Sequence, residues 1–202
     1  MKVKVCGMRD PQNIQAAEAS GVDLMGFIFY EGSSRFVGAM DPVMTTKVTR
    51  VGVFVNEEIE RIQHIARQWQ LDIIQLHGDE SPSFCQQIKN LGLRVVKAFA
   101  IDETFDFAQL RDYGDHVDYF LFDTKGTNYG GNGVLFDWAL LSKYNEDVPF
   151  WLSGGIHPGV TEAISALDLP GLVAVDVNSG FEEEPGYKNI KKLKRFTDEI
   201  HH

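Results

Sequence analysis

The chain has 202 residues, with 19 lysines and arginines against 29 aspartates and glutamates, a formal net charge of −10 at pH 7. This acidic balance argues against a nucleic-acid partner and against a membrane surface, because both need concentrated positive charge. A hydrophobic share of 44% with 24% charged residues is typical of a globular protein, and no apolar run approaches the roughly 20 residues that cross a bilayer.

Short runs rich in β-branched and aromatic residues alternate with longer amphipathic segments along the chain. Helix starts are predicted at Asp10, Asn56 and Ser81, whose side chains can cap a first turn, and a last amphipathic helix covers 190–200. The predicted strands cover residues 2–6, 24–29, 50–54, 73–76, 94–98, 117–122, 150–153 and 172–175.

The spacing of these strands indicates the fold. Successive strand ends lie 22 to 25 residues apart, except for one interval of 31. A parallel strand, a helix and two short loops occupy about that length, so eight such units predict an α/β fold, a closed (β/α)₈ barrel. One domain is expected over residues 1–202, with His201-His202 typical of a tag remnant. An open doubly wound sheet is the alternative, but no strand–GxGxxG–helix arrangement lies near the N-terminus.

The interval of 31 residues contains the stretch DTKGTNYGGNGVLFDW at 123–138, which has four glycines. In a barrel this loop follows strand six, on the rim where barrel enzymes carry their catalytic residues. Two interpretations are open, a lid over the site or a surface insertion.

Polar and glycine residues follow several strands, and in a barrel these positions share one rim. Gly154-Gly155 follows strand seven and Ser179-Gly180 follows strand eight, so bare backbone N–H groups and a short helix start predict a phosphate site. The alternative is that these glycines only make tight turns. Arg35, after strand two, can bind a carboxylate through two parallel hydrogen bonds, although a lone loop arginine is usually solvated.

Cys6 ends strand one, and period-two alternation then places Lys4 inside the barrel, where a cation needs an anionic partner. Strand eight neighbours strand one in a closed barrel and ends at Asp176, so we predict a Lys4–Asp176 pair beside Cys6 that favours the thiolate. Asp176 is also a candidate substrate-binding residue. The alternatives for Cys6 are a core hydrophobe or a disulfide with Cys85, which a reducing cytoplasm disfavours.

Two further strand ends carry titratable side chains. Asp123 follows the apolar run YFLF, and a partly desolvated carboxyl group holds a proton more readily, as a general acid must. The alternative is a loop cap. His77 is another candidate acid or base, or a structural residue. No group of His, Cys, Asp and Glu has metal-ligand spacing, so no metal is predicted.

At these residues the sequence resembles the phosphoribosylanthranilate isomerase family of (β/α)₈ enzymes. The resemblance runs along the whole chain, with departures from the commoner family pattern at Asn132 and Val134 in the strand-six loop and at Ser34. The matching stretches are KVCGMRD (4–10), SSRFVG (33–38), VGVFVN (51–56), QLHGDE (75–80), FDTK (122–125), GGNGVLFDW (130–138), LSGGI (152–156) and DVNSGFEEEPGYKN (176–189).

The resemblance implies an Amadori rearrangement of N-(5-phosphoribosyl)anthranilate in tryptophan biosynthesis. Cys6 looks like the general base and Asp123 the general acid, while Arg35 would hold the anthranilate carboxylate and the glycine loops after strands seven and eight the phosphate. Because the substrate supplies its own electron sink, no cofactor is expected. The expected partner is this phosphorylated small molecule, with the protein a monomer or homodimer.

Three other classes of barrel protein fit the sequence less well. An indole-glycerol-phosphate synthase would need catalytic lysine and glutamate at several strand ends, and a ribulose-phosphate epimerase would need metal-binding histidines; neither arrangement is found. A non-catalytic ligand-binding barrel would keep Arg35 and the phosphate loops. The presence of both Cys6 and Asp123 argues against it.

Overall fold

The structure, a computed structural model, describes residues 1–42, 47–124 and 138–202. Eight parallel strands close into a barrel in chain order, so that β1 pairs with β2 on one side and with β8 on the other. All eight predicted strands are present with ends shifted by at most three residues, and the predicted barrel is confirmed. The strands are β1 Lys2–Val5, β2 Leu24–Ile28, β3 Thr49–Phe54, β4 Ile73–Leu76, β5 Arg94–Ile101, β6 Tyr119–Thr124, β7 Phe150–Leu152 and β8 Leu172–Val177.

The outer layer is less regular than the barrel. Three-residue-per-turn helices at Phe107–His116 and Trp138–Lys143 follow β5 and β6, and no helix occurs in 29–42 or 47–48. A short hairpin of β9 Glu182–Glu184 and β10 Tyr187–Lys188 follows β8. No helix in the described ranges is long and apolar enough to cross a bilayer. The α-helices are α1 Pro11–Ala19, α2 Ile59–Trp69, α3 Pro82–Asn90, α4 Thr161–Ser165 and α5 Ile190–His201.

Two of the three predicted helix starts are confirmed. The side chains of Asp10 and Ser81 each accept a hydrogen bond from a backbone N–H of the first turn, at 2.7 and 3.2 Å. The prediction at Asn56 is wrong, because α2 begins at Ile59 and the Asn56 Oδ1 instead accepts from the backbone N of Asp79 at 2.7 Å. Asn56 has a φ of 50°, a left-handed conformation. It therefore lies in the loop between β3 and α2 and does not begin the helix.

Alternation along the strands divides the buried residues into two layers. Val3 and Val5 point outward into the core between strands and helices, whereas Lys4 points into the barrel. The lower barrel interior is an apolar layer of Leu24, Val51, Ile73, Val96, Ala98, Leu121, Trp151 and Ala174. Above it, towards the carboxyl ends of the strands, the interior becomes polar.

The last residue of α5 is His201, one of the two histidines that the sequence suggested as a tag remnant. Its Nε2 lies 2.9 Å from Oδ2 of Asp23, which directly precedes β2. Asp23 Oδ2 also accepts from the backbone N of Val3 at 2.8 Å. The end of α5 thus contacts the amino-terminal end of the barrel, opposite the polar rim.

Candidate active site

A cavity of about 470 Å³ opens where the strands end at their carboxyl termini. Four of the predicted site residues line it. They lie directly after β1, in the segment after β2, in β6 and in β8, and they are Cys6, Arg35, Asp123 and Asp176. Gln75, His77, Ser153 and Asn178 are among its other polar lining residues. The chain therefore brings the predicted base, acid and carboxylate-binding residue to one mouth of the barrel, as barrel enzymes do.

The predicted Lys4–Asp176 ion pair is confirmed. Lys4 Nζ donates to Asp176 Oδ2 at 2.8 Å, and the two side chains are 0% and 6% exposed. The two residues are also register partners across β1 and β8. On the neighbouring β2, an added Cβ at Gly26 would lie 2.7 Å from Cys6 Sγ and 3.1 Å from Lys4 Nζ. Glycine at this position leaves the space that the thiol of Cys6 and the ammonium group of Lys4 occupy.

Burial dominates the electrostatics of Cys6. It raises the pKa of the thiol, Lys4 lowers that pKa, and Asp176 raises it again, so the net pKa lies above its ordinary value. Burial likewise raises the pKa of Asp176, against the pull of Lys4. Lys4 therefore acts in the direction that the sequence predicted, but burial has the larger effect. Cys6 and Cys85 are both free, so the disulfide alternative is excluded.

Asp123 lies inside β6, with its carboxyl group buried at the edge of the cavity. Its Oδ1 accepts from the backbone N of Thr124 at 2.8 Å, and its Oδ2 lies 3.5 Å from Nε2 of His77. The other ring nitrogen of His77 lies 2.8 Å from Nε2 of Gln75. If the Gln75 amide donates, the His77 proton resides on Nε2 and points to the carboxyl group of Asp123.

Arg35 is not a solvated loop arginine. Its guanidinium binds Glu182 of β9 through two hydrogen bonds, of 2.8 Å from Nε and 2.7 Å from Nη2. The sequence reasoning missed Glu182 and its other partner, Lys188. A signal was available, because Pro185-Gly186 between two short polar runs is typical of a hairpin turn.

The predicted phosphate residues form the adjacent rim. Gly154 and Gly155 have φ values of 84° and 65°, which favour glycine, and Ser179 opens a three-residue helix. Gly180 packs on the carbonyl oxygen of Ile156 so closely that a Cβ would collide, which joins the loops after β7 and β8. These four predicted residues stand just beyond the cavity lining rather than in it.

Most of the strand-six loop, residues 125–137, for which a lid and a surface insertion were both open, lies outside the described residues. Asn132 and Val134, the departures from the family pattern, lie outside the described residues.

The sequence matches a known family along nearly its whole length. A family model described as N-(5'-phosphoribosyl)anthranilate (PRA) isomerase matches residues 3–199. The chain belongs to this family. A relative of that name from Parabacteroides distasonis is 47% identical over 209 residues, which span 100% of this chain and 94% of the relative. The resemblance seen in the sequence motifs is confirmed.

Solved structures of phosphoribosylanthranilate isomerases have the same fold. One from Thermotoga maritima superposes with a TM-score of 0.85 at 34% identity, covering 100% of this chain and 98% of that one. Another, in complex with reduced 1-(o-carboxyphenylamino)-1-deoxyribulose 5-phosphate, has a TM-score of 0.82 at 32% identity with the same coverage. That ligand carries both a carboxylate and a phosphate.

Proposed function

We propose that this chain isomerises N-(5'-phosphoribosyl)anthranilate to 1-(2-carboxyphenylamino)-1-deoxyribulose 5-phosphate, an Amadori rearrangement of tryptophan biosynthesis. Family membership supports the reaction. The observation that carries it for this chain is that the thiol of Cys6, directly after β1, and a carboxyl group from β6 line one cavity with Arg35. A sugar bound in this cavity would meet both a group that can act as an acid and a group that can act as a base.

Asp123 acts as the general acid in the first step. It gives a proton to the furanose ring oxygen, the bond from C1′ to that oxygen breaks, and the anthranilate nitrogen becomes a protonated Schiff base. His77 then lies close enough to donate a hydrogen bond to the resulting carboxylate. A polar N–H group is therefore close to the oxygen on which the negative charge develops, and such a group stabilises that charge.

Cys6 acts as the base in the second step. The cationic nitrogen acidifies the C2′ proton, the Cys6 thiolate removes it, and the resulting enolamine tautomerises to the ketone. In the free site Cys6 holds its proton because burial raises its pKa. The positive charge of the Schiff base adds to that of Lys4 and favours the thiolate. The thiol proton passes to the carboxylate of Asp176, whose pKa burial also raises and whose Oδ1 has no other partner in the described part of the chain.

The remaining predicted residues bind the carboxylate, the sugar and the phosphate of the substrate. Arg35 holds the anthranilate carboxylate, and Asp176 faces the sugar from β8 with an Oδ1 that accepts no hydrogen bond in the described part of the chain. The backbone N–H groups of the loops after β7 and β8, with the side chain of Ser179, bind the phosphate.

Loss of phosphoribosylanthranilate fluorescence tests the proposal. Cys6→Ala and Asp123→Asn should each lower kcat by about 10²–10⁴-fold, since each removes one proton transfer. Cys85→Ala is the matched control, because this buried thiol lies on α3 outside the site. Near-wild-type turnover in either site variant, with the control active, would refute the assigned role.

We also propose that the enzyme works in the cytoplasm as a monomer or homodimer, with no cofactor. A chain with two free cysteines suits a reducing compartment. Sedimentation velocity distinguishes the two oligomeric states, and turnover in the presence of a strong chelator tests the absence of a metal requirement.

A further inference from the structure

The guanidinium of Arg35 is held along one edge only. Glu182 accepts from Nε and from Nη2, which together form the side-on edge of the guanidinium. Arginine has five N–H donors, so one N–H on Nη2 and both on Nη1 remain. No described residue accepts a hydrogen bond from Nη1, and Arg35 lines the cavity. The end-on edge is therefore available to a second carboxylate.

Glu182 is itself fixed from three directions. Its Oε1 accepts from Lys188 Nζ at 2.6 Å and from the backbone N of Gly186 at 3.0 Å, in addition to Arg35. Lys188 is 1% exposed, and its Nζ also donates to Oδ1 of Asn178 at 2.6 Å. The hairpin β9–β10 thus presents a carboxylate that has little freedom to move.

The charges in the cluster of Arg35, Glu182 and Lys188 do not cancel. Two cations, Arg35 and Lys188, surround one carboxylate, Glu182, so the cluster keeps a single net positive charge. An arginine paired with Glu182 alone would be neutral overall and would attract a carboxylate ligand less. Lys188 restores the attraction without entering the cavity.

We propose that Glu182 and Lys188 are positioning residues that make Arg35 selective for the carboxylate of the substrate's aromatic ring. Glu182 fixes the plane of the guanidinium so that its end-on edge faces the ligand, and Lys188 supplies the compensating charge. This inference rests on the proposed function, in which Arg35 binds that carboxylate. It assigns to the hairpin after β8 a role in specificity that the sequence reasoning did not find.

Protonation of the cluster follows from its contacts. Burial raises the pKa of Glu182, but the bonds from Arg35, Lys188 and Gly186 outweigh it and bring that pKa to about 2. Burial lowers the pKa of Lys188 to about 8, against the opposing pull of Glu182. Glu182 is therefore ionised at any working pH, whereas Lys188 loses its charge just above neutrality.

The experiment compares two substrates that differ only in the carboxylate. The first is phosphoribosylanthranilate, and the second is the glycosylamine formed from aniline and ribose 5-phosphate. Glu182→Gln leaves the guanidinium of Arg35 free to turn away from the ligand. This loss of roughly one charge-assisted contact with the substrate should outweigh the extra positive charge and raise KM for the first about tenfold or more, with kcat within about threefold. KM for the aniline compound should stay unchanged. An equal change for both substrates, or no change for either, overturns the proposal.

Arg35→Met separates this inference from the proposed function. If Arg35 binds the carboxylate, this variant raises KM for phosphoribosylanthranilate alone. An equal loss for both substrates would instead refute the role of Arg35 in the proposed function. A rise in KM for phosphoribosylanthranilate alone in Arg35→Met, with no such rise in Glu182→Gln, would refute only the positioning role of Glu182.

Two further measurements guard against a misfolded variant. If Glu182→Gln leaves Lys188 as an unpaired buried charge and does not fold, Glu182→Gln/Lys188→Met removes both charges and should show the same selective rise in KM. The wild-type enzyme gives a test without any substitution. As pH rises from 7 to 9, Lys188 deprotonates and the preference for the carboxylated substrate should fall several-fold.

The charged and titratable groups that face Lys188 come from three parts of the chain: Glu182 from β9, Arg35 from the segment after β2, and Cys6 directly after β1. Arg35 and Glu182 keep their charges from pH 7 to 9, and Cys6 acts equally on both substrates. A KM ratio that stays constant over this range would overturn the role of Lys188.

Discussion

Lys4, Cys6 and Asp176 form one electrostatic unit inside the barrel, because a single ammonium group faces two acids. Lys4 binds Asp176 at 2.8 Å and lowers the pKa of Cys6 against the effect of burial. A buried cation needs one compensating anion, and either the carboxylate or the thiolate can supply it. In the free site the carboxylate of Asp176 has that role, and Cys6 remains protonated.

Removing the carboxylate should therefore ionise the thiol. Asp176→Asn keeps the shape of the side chain, and we expect the pKa of Cys6 to fall by about one unit or more because Lys4 then has no other counter-ion. The measurement is the rate of iodoacetamide alkylation against pH, in a Cys85→Ala background so that only Cys6 reacts.

Lys4→Met is the opposite test in the same background. It removes the cation, so the pKa of Cys6 should rise and alkylation at neutral pH should slow. Superimposable alkylation profiles for the parent and both variants would show that the pKa of Cys6 does not depend on Lys4 or Asp176. The parent profile should place the pKa of Cys6 above that of an exposed cysteine, since burial raises it.

At the scale of single residues, the sequence predicted the Lys4–Asp176 pair but not the partner of Arg35. Alternation along β1 and the closure of the barrel were enough to bring Lys4 and Asp176 together. Arg35 and Glu182 lie 147 residues apart in loops outside the strands. No periodic pattern fixes the direction of such loops.

At the scale of elements, the ends of β6 and β7 are packed together through Gly154. An added Cβ there would lie 2.7 Å from the backbone N of Thr124 and 3.0 Å from Oδ1 of Asp123. The φ of 84° adds a second reason for glycine. The loop after β7 therefore fixes the position of the proposed general acid as well as lining the phosphate rim.

Gly154→Ala should lower both stability and turnover, because it pushes on the backbone of β6 next to Asp123. We expect about 1–2 kcal/mol from the left-handed backbone alone, plus the cost of the collision. Urea unfolding and kcat measure the two effects. Gly92→Ala is the matched control, since its φ is 80° but no atom lies within 4 Å of the added Cβ.

Gly92→Ala should lose only the stability that comes from the backbone conformation, and it should keep full turnover. Equal stability losses in Gly154→Ala and Gly92→Ala, with both enzymes fully active, would contradict the contact with β6. This comparison separates backbone strain from steric contact, which a single glycine substitution cannot do.

The three predicted helix starts show which element boundaries are set by neighbouring residues in the sequence. Asp10 and Ser81 cap their own helices, and each is followed by proline, so the signal lies within four residues. Asn56 has a capping side chain too, but it binds the backbone of Asp79 in the next loop. A contact across 23 residues overrides the local preference there.

At the scale of the whole molecule, the Lys4–Asp176 pair lies at the junction where the first strand meets the last. Strands β1 and β8 close the barrel, and their register pairs these two residues directly. Both side chains are buried, so each depends on the other for compensation of its charge. The junction therefore combines a structural contact with part of the proposed catalytic site.

Lys4→Met should destabilise the protein by about 3–5 kcal/mol, because it leaves Asp176 as an uncompensated buried carboxylate. The double variant Lys4→Met/Asp176→Leu should recover most of that loss, since apolar side chains of similar volume can replace a buried pair. Urea denaturation gives the free energies of unfolding. Turnover should remain low in the double variant, because Cys6 has lost its neighbouring cation.

Recovery of turnover together with stability would contradict the electrostatic role of the pair and leave it purely structural. A double variant less stable than Lys4→Met alone would show that the polar contact cannot be replaced at this junction.

The sequence by itself determined the eight strands, the closed barrel, the side-chain direction of Cys6 and the family, because alternation, capping and strand spacing act over a few residues or repeat along the chain. Only the tertiary structure decided that Arg35 binds Glu182, that Lys188 is buried behind it, and that burial keeps Cys6 protonated. These properties depend on which distant groups share a desolvated space, and that space exists only once the barrel has closed.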